Sequence, residues 1–395
     1  MASHGIKDQV AIVGMGCTPF GEHWNKGTDD LLIDAAEETF ASAGITKDQV
    51  DAYWLGTAVS GMSGMTLARP LQLHDKPVTH VENFCATASE AIRNAAYAVA
   101  SGAYDVAMAI GVEKVKDCGY QGLVVAAKTP TDGTGRTLTA AAMFAMCAPG
   151  YGKKYGVDEE QMREVLARIA WKNHYNGARN PRTQFKKEVS METICNAPLM
   201  AGGLGVYDCS GVADGSAAAI VVRAEDAKKF RKDPIYIKAL SFAAGPGAGH
   251  MDQDYDFTTF REVVATATDA YRQAGITDPR KQISLAEVHD CFTPTELVLY
   301  EDLGFSPRGT AWKDVLDGFF DLEGGLPVNP DGGLKSFGHP IGASGLRMMY
   351  ECWLQLRGEA GPRQITDPKL GLTHNLGGFP GKCVSFVSVV GREGG

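Results

Sequence analysis

The phrase DLLIDAAEETFASAGIT, Asp30 to Thr46, returns about 230 residues later as FREVVATATDAYRQAGIT, Phe260 to Thr277. Each copy reads as an amphipathic helix that ends at the glycine of Ala-Gly-Ile-Thr. A short turn and an apolar strand follow, KDQVDAYWLGT after the first copy and KQISLAEVHDCF after the second. Repetition at this distance predicts a chain written twice on one plan.

Working outward, each copy continues into a long helix that follows a Gly- or Cys-bearing turn. Glu90 to Ala103 leads into the buried strand YDVAMAIGVE, and the helix from Gly345 leads through a loop into LGLTHNLGG. Uninterrupted apolar runs such as VAIVG (Val10 to Gly14) and AIVVR (Ala219 to Arg223) predict strands covered on both faces, hence an α/β sandwich with helices between and outside two sheets. The segment 116–205 breaks the pattern with Pro130, Pro149, Pro181 and Pro198 and one clear helix, Asp158 to Asn173, whose acidic first turn suits the helix dipole. The predicted organisation is a first half over 1–115 and 206–240, an inserted cap over 116–205, and a second half over 241–395.

The bulk numbers narrow the class. The 395 residues are long for one core, and 44% hydrophobic with 22% charged residues is ordinary globular composition. A net charge of -9 with no long basic run argues against nucleic acid, although helix N-termini and a few Lys or Arg residues suffice for an anionic cofactor such as coenzyme A. The start of the chain lacks a signal-peptide pattern and no stretch reaches the length of a membrane span, so a cytoplasmic location is expected. Nine scattered cysteines without a CxxC pair encode neither a disulfide framework nor a zinc ribbon, and no metal is expected in this chain.

Three junctions carry chemistry. Cys85, in Glu82-Asn83-Phe84-Cys85-Ala86-Thr87-Ala88, stands at a helix N-terminus, where the dipole favours a thiolate and the backbone N–H is open to an oxyanion. A free cysteine is more often buried packing, so context has to decide. His339, in Gly338-His339-Pro340-Ile341-Gly342-Ala343-Ser344-Gly345, occupies the matching turn of the second copy. His289 and Cys291 of His289-Asp290-Cys291-Phe292 lie two apart, on one face of an extended segment at a strand end. A fourth element, Asn375 to Gly381, is a glycine-rich turn able to present backbone N–H groups. Gly14-Met15-Gly16 fails as a dinucleotide fingerprint because Pro19 stands at the third glycine. The Gly245 to Gly249 run reads either as a substrate-channel loop or as plain surface.

With NFCATASEA (Asn83 to Ala91), PLMAGGLGVYDCSGVADGSAAAIV (Pro198 to Val221), HDCF and GHPIGASG in this order, the whole chain resembles the thiolase superfamily, in particular its sterol-carrier-protein and archaeal-type branches. The resemblance implies a five-layered α/β/α/β/α sandwich. It implies that Cys85 accepts the acyl group, that His339 draws off its proton, and that His289 with His339 holds a thioester enolate. A second oxyanion hole comes from the backbone N–H groups of Cys85 and Gly377. Asn375 stands where ordinary thiolases carry a second catalytic Cys, so the α-proton role goes to Cys291, as in the HDCF branch; Cys383 reads as packing.

The implied activity is a CoA-dependent thiolase cleaving a 3-oxoacyl-CoA, or running the reverse Claisen condensation, with coenzyme A as co-substrate. Tyr120, Met143, Phe144, Met146 and Tyr151 either line a pocket for a bulky or aromatic substrate such as benzoylsuccinyl-CoA or belong to the core. A homodimer and a separate small OB-fold zinc-ribbon partner are expected from the same branch. The rivals are a retro-aldolase of the same fold, which retained Cys85 argues against, a decarboxylating ketosynthase-like enzyme, which Cys291 argues against, and a scaffold subunit.

Overall fold

The structure is a computed structural model and describes residues 4–119, 139–250 and 252–394. Helices α1 (Thr28–Ala43), α2 (Thr87–Ala100), α3 (Glu159–Gly177), α4 (Arg261–Ala274), α5 (Thr293–Asp302), α6 (Gly333–Ser336) and α7 (Ser344–Arg357) concern us here. The strands of the main sheet are β1 (Val10–Cys17), β2 (Ala52–Gly56), β3 (Val78–Val81), β4 (Val106–Glu113), β5 (Gly215–Arg223), β6 (Ile235–Ala244), β7 (Leu285–Glu287), β8 (Leu370–Phe379) and β9 (Lys382–Gly391).

The repeated Ala-Gly-Ile phrase has a local cause. Gly44 and Gly275 take left-handed φ of 70° and 78°, and the following isoleucine N–H reaches back to Phe40 O at 3.1 Å and to Tyr271 O at 2.8 Å. Both helices therefore end in the same Schellman turn, which only a residue tolerant of positive φ closes cheaply.

Duplication is complete at the level of strand pairing. In the first half the order is β3-β2-β4-β5-β1, parallel across β2 and antiparallel from β4 onward. In the second it is β7-β8-β9-β6 with the same senses, and an isolated parallel bridge from Ala286 to Val328 stands where β3 stands in the first. Among the described residues, the two half-sheets join edge to edge through two strand pairs, Ala11 with Tyr236 and Ile12 with Ile235. Strand β6 crosses position 240, because β9 is its partner along most of its length.

Side-chain alternation builds the layers. Ala11 and Val13 pack outward with Leu31, Leu32 and Ala35 of α1. Val10 and Ile12 pack inward with Ala91, Ile92 and Ala95 of α2 and Leu346, Met349 and Trp353 of α7. Beyond the second half, Val263, Ala267 and Ala270 of α4 share a core with Leu372 and Val387. This is the five-layered sandwich.

Helix α3 lies within the first half of the sequence but packs on the second. It starts after Asp158, whose carboxylate accepts from Gln161 N at 2.8 Å, and runs beyond the expected Asn173 to Gly177. Val165, Leu166 and Ile169 enter the second-half core, and Lys172 meets Glu296 at 2.5 Å with both side chains buried. Among the described residues, no helix is long and apolar enough to cross a membrane.

Candidate active site

The turn between β3 and α2 is held by its own threonine. Thr87 Oγ1 donates to Phe84 O at 2.6 Å and accepts from Asn83 N at 2.8 Å. Between them Phe84 adopts φ 50°, a left-handed conformation that costs a non-glycine residue about 1 kcal/mol. Cys85 follows, 3% exposed.

The second junction brings His339 to that sulfur. His339 N donates to Gly211 O at 2.9 Å, and Nε2 lies 3.2 Å from Cys85 Sγ. Its Nδ1 lies 2.7 Å from Ser344 Oγ. Ser344 donates its own proton to Pro340 O at 2.8 Å, so its oxygen is left to accept from Nδ1–H. This fixes the tautomer that leaves Nε2 free to accept a proton.

His289 completes the pocket. Its ring stands edge-on to that of His339 with centroids 5.5 Å apart, and Cys85, His289 and His339 each offer one atom within 4.8 Å of the others. Three such atoms have the spacing of a metal-binding group as well as that of an acid–base cluster. The HDCF segment lies just past β7, not within it. Cys291 is buried, and its Sγ is 3.6 Å from Thr295 Oγ1.

Gly377 lies against the nucleophile turn. A Cβ there would meet Asn83 O at 2.7 Å and Phe84 Cβ at 2.9 Å, so glycine is what lets the β8 backbone approach Cys85. Asn375 accepts from Ser89 Oγ of α2 at 2.7 Å, and Cys383 lies beside Glu262 at 3.3 Å. The Gly245 to Gly249 run packs on the same C-terminal turn, with Gly245 N bonded to Cys383 O at 2.9 Å.

The expected dipole stabilisation of the Cys85 thiolate is outweighed. Burial first, and the nearby Cys291 second, push the Cys85 thiol well above its ordinary range. Burial likewise pushes His339 down to about 3 and His289 well below its usual range. The resting pair is therefore a neutral thiol beside a neutral imidazole, and charge appears only as the proton moves. Cys291 is pushed up to about 12, chiefly by burial.

The bracing of this site is not visible in its motifs. Ser210 N donates to Cys291 O at 2.8 Å while Gly211 O holds His339 N, so residues 210–211 tie the two catalytic segments together. Asn173 of the cap donates to Asp290 Oδ2 at 2.8 Å. Arg347, fully buried in α7, bridges Glu287 at 2.7 Å and Asp331 at 2.5 Å, which locks the end of β7 to the helix that follows His339. Of the cap aromatics, Phe144 stacks on Phe292 with centroids 5.1 Å apart and Tyr151 donates to Glu301 at 2.5 Å. Both are core, as Met143 largely is; Tyr120 lies outside the described residues. Met146 is half-exposed and lines a groove of about 820 Å³ with Met162, Leu166 and Leu204.

With this geometry in place, comparison decides the family. Residues 10–225 match the thiolase N-terminal domain and residues 245–389 the thiolase C-terminal domain-like family. The chain belongs to the thiolase family. It is 36% identical to an acetyl-CoA acetyltransferase of Methanothermobacter thermautotrophicus over 96% of this chain and 98% of that one. It is 32% identical to a benzoylsuccinyl-CoA thiolase subunit of Thauera aromatica over 94% and 96%. A solved structure titled Ltp2-ChsH2(DUF35) aldolase shares the fold at TM-score 0.83, 24% identity and 98% and 99% coverage. This thiolase is accordingly an enzyme of CoA-dependent acyl transfer.

Proposed function

We propose that Cys85 carries the acyl group, that His339 is its base, and that His289 and Cys291 serve the carbon next to the thioester. The observation that carries this reading is the 3.2 Å contact between Cys85 Sγ and His339 Nε2. In cleavage, His339 takes the thiol proton and the sulfur attacks the 3-oxo carbon, with the backbone N–H groups of Cys85 and Gly377 holding the oxyanion. The C2–C3 bond then breaks and its electron pair becomes an enolate held by His289 and protonated His339. Cys291 gives C2 its proton, and the CoA thioester that carries C1 and C2 leaves while the shortened acyl group stays on Cys85. An incoming CoA thiol returns a proton to Cys291 and attacks the acyl-cysteine; Cys85 departs and recovers its proton from His339. Read this way, the three clustered side chains serve proton transfer and enolate binding.

Intact-mass analysis after incubation with acyl-CoA tests it. An acyl adduct is expected on the wild type and not on Cys85→Ala; an adduct that survives the substitution defeats the assignment. The retro-aldolase reading fails on the same result, since it needs no acyl-cysteine.

The substrate we propose is a bulky, aromatic 3-oxoacyl-CoA such as benzoylsuccinyl-CoA. The likeness to the Thauera aromatica subunit supports it. Thiolysis rates on acetoacetyl-CoA and an aryl-substituted 3-oxoacyl-CoA compare the two, and a strong preference for acetoacetyl-CoA rules the bulky substrate out. We further propose two thiolase halves interrupted by the cap at 116–205, a cytoplasmic homodimer, and a separate OB-fold zinc-ribbon partner. Nine free thiols suit a reducing compartment, and one relative is itself named as a subunit.

A further inference from the structure

Behind the Cys85–His339 contact lies a carboxylate that touches neither residue. Glu113 ends β4, is fully buried, and among the described residues pairs with no cation. Its Oε1 accepts from Thr57 Oγ1 at 2.8 Å, Val59 N at 3.0 Å, Ser60 N at 2.9 Å and Ser60 Oγ at 2.8 Å. Its Oε2 accepts from Ala58 N at 3.1 Å and from Gly342 N at 2.9 Å. Gly342 belongs to the His339 turn, in the other half of the molecule. Burying a carboxylate is costly unless its lone pairs are filled, and here they are filled from two segments 229 residues or more than 50 residues away in sequence.

One of those segments is the turn that carries His339, and the other backs onto the strand and helix that flank Cys85. Thr57 O accepts from His80 Nε2 at 2.9 Å, on the strand that runs into the Cys85 turn. A Cβ on Gly56 would meet Thr87 Cγ2 at 3.0 Å and Gly342 O at 3.3 Å, and one on Gly111 would meet Gly342 O at 2.1 Å. Backbones of the Cys85 side and the His339 side thus touch without intervening side chains, and Glu113 is the polar group that joins them.

We infer that Glu113 is a positioning residue, setting the His339 turn of the second half against the Cys85 turn of the first so that sulfur and imidazole stay in proton-transfer contact. This rests on the reading of Cys85 and His339 as nucleophile and base. Glu113→Gln keeps one acceptor for Thr57, Val59 and Ser60 but turns an NH2 toward the N–H groups of Ala58 and Gly342, so the turn is pushed off.

The test is the pH profile of Cys85 alkylation by iodoacetamide in the full chain, followed on the Cys85 peptide by mass spectrometry, with KM for acyl-CoA measured alongside. Apart from His339, the groups facing Cys85 are Cys291, Glu82 and His289, with Arg347 behind the imidazole, and all stay in place across the variants. For Glu113→Gln we expect the profile to move to higher pH, the rate at neutral pH to fall about ten- to hundredfold, and KM to hold. Gly342→Ala, whose Cβ would meet Val112 O at 2.4 Å, moves it the same way with Glu113 intact. Ser60→Ala loses one donor to the same carboxylate and leaves the profile where it was. The negative charge of Glu113 by itself opposes the Cys85 thiolate, so a role as mere nearby charge predicts a move to lower pH. A lower or unchanged profile in folded Glu113→Gln or Gly342→Ala, or an equal upward move in Ser60→Ala, overturns the positioning role. An unreactive Cys85 in the wild type overturns the underlying reading with it, which separates the two failures.

Discussion

Ser344 holds His339 in one tautomer: its hydroxyl points its proton at Pro340 O and offers its oxygen to Nδ1. The imidazole nitrogen facing Cys85 is therefore the unprotonated one. We expect Ser344→Ala to lower kcat about ten- to hundredfold while the protein stays folded, because half the imidazoles would then present the wrong nitrogen and the ring would rotate more freely. Steady-state kinetics with a circular-dichroism control measures this; an unchanged kcat contradicts it.

The same burial that excludes water from His339 sets its pH response. Its pKa is lowered to about 3, so the neutral, proton-accepting form dominates at every pH above that value and is lost only as pH falls toward it. Rapid-quench acylation of Cys85 should be flat from about pH 8 down to about pH 5 with respect to this group. A step centred near the ordinary 6.5 means that the imidazole is wet.

Cys291 should separate the two half-reactions. With its pKa pushed up to about 12, its thiol stays protonated through neutrality and is loaded as an acid. In Cys291→Ala we expect acylation of Cys85 by acyl-CoA to persist, and exchange of the acetyl-CoA α-protons with deuterated solvent to fall about 10²- to 10⁴-fold. Exchange at the wild-type rate, read by NMR, removes Cys291 from that role.

Stability should concentrate at Arg347. Replacing it with Met leaves Glu287 and Asp331 buried and without a cation, a loss of about 3–5 kcal/mol. Urea unfolding reports it as a lower midpoint, with weaker activity following because Glu287 stands two residues before His289.

What the sequence made legible was whatever a local phrase determines. Gly44 and Gly275 close the same turn for the same reason, and Cys85 and His339 sit at equivalent turn-to-helix junctions, so pattern alone paired them. Long-range chemistry was not legible. Nothing near Glu113 announces Gly342, nothing near Ser210 announces Cys291, and the φ of Phe84 has no signal in a residue type that rarely adopts it. The dipole argument for Cys85 misjudged the sign because it weighed a helix end without knowing how deeply the sulfur is buried. The cap was placed by sequence order, whereas apolar residues on α3 packed it against the other half.

A plan used twice has two equivalent berths for a reactive side chain, one in the turn before the central helix of each half. Proton transfer needs unlike partners, a donor in one berth and an acceptor in the other. Two identical halves would have faced thiol with thiol or imidazole with imidazole and gone no further. The narrow seam between β1 and β6 thus joins two elements that became useful to each other only by ceasing to be the same.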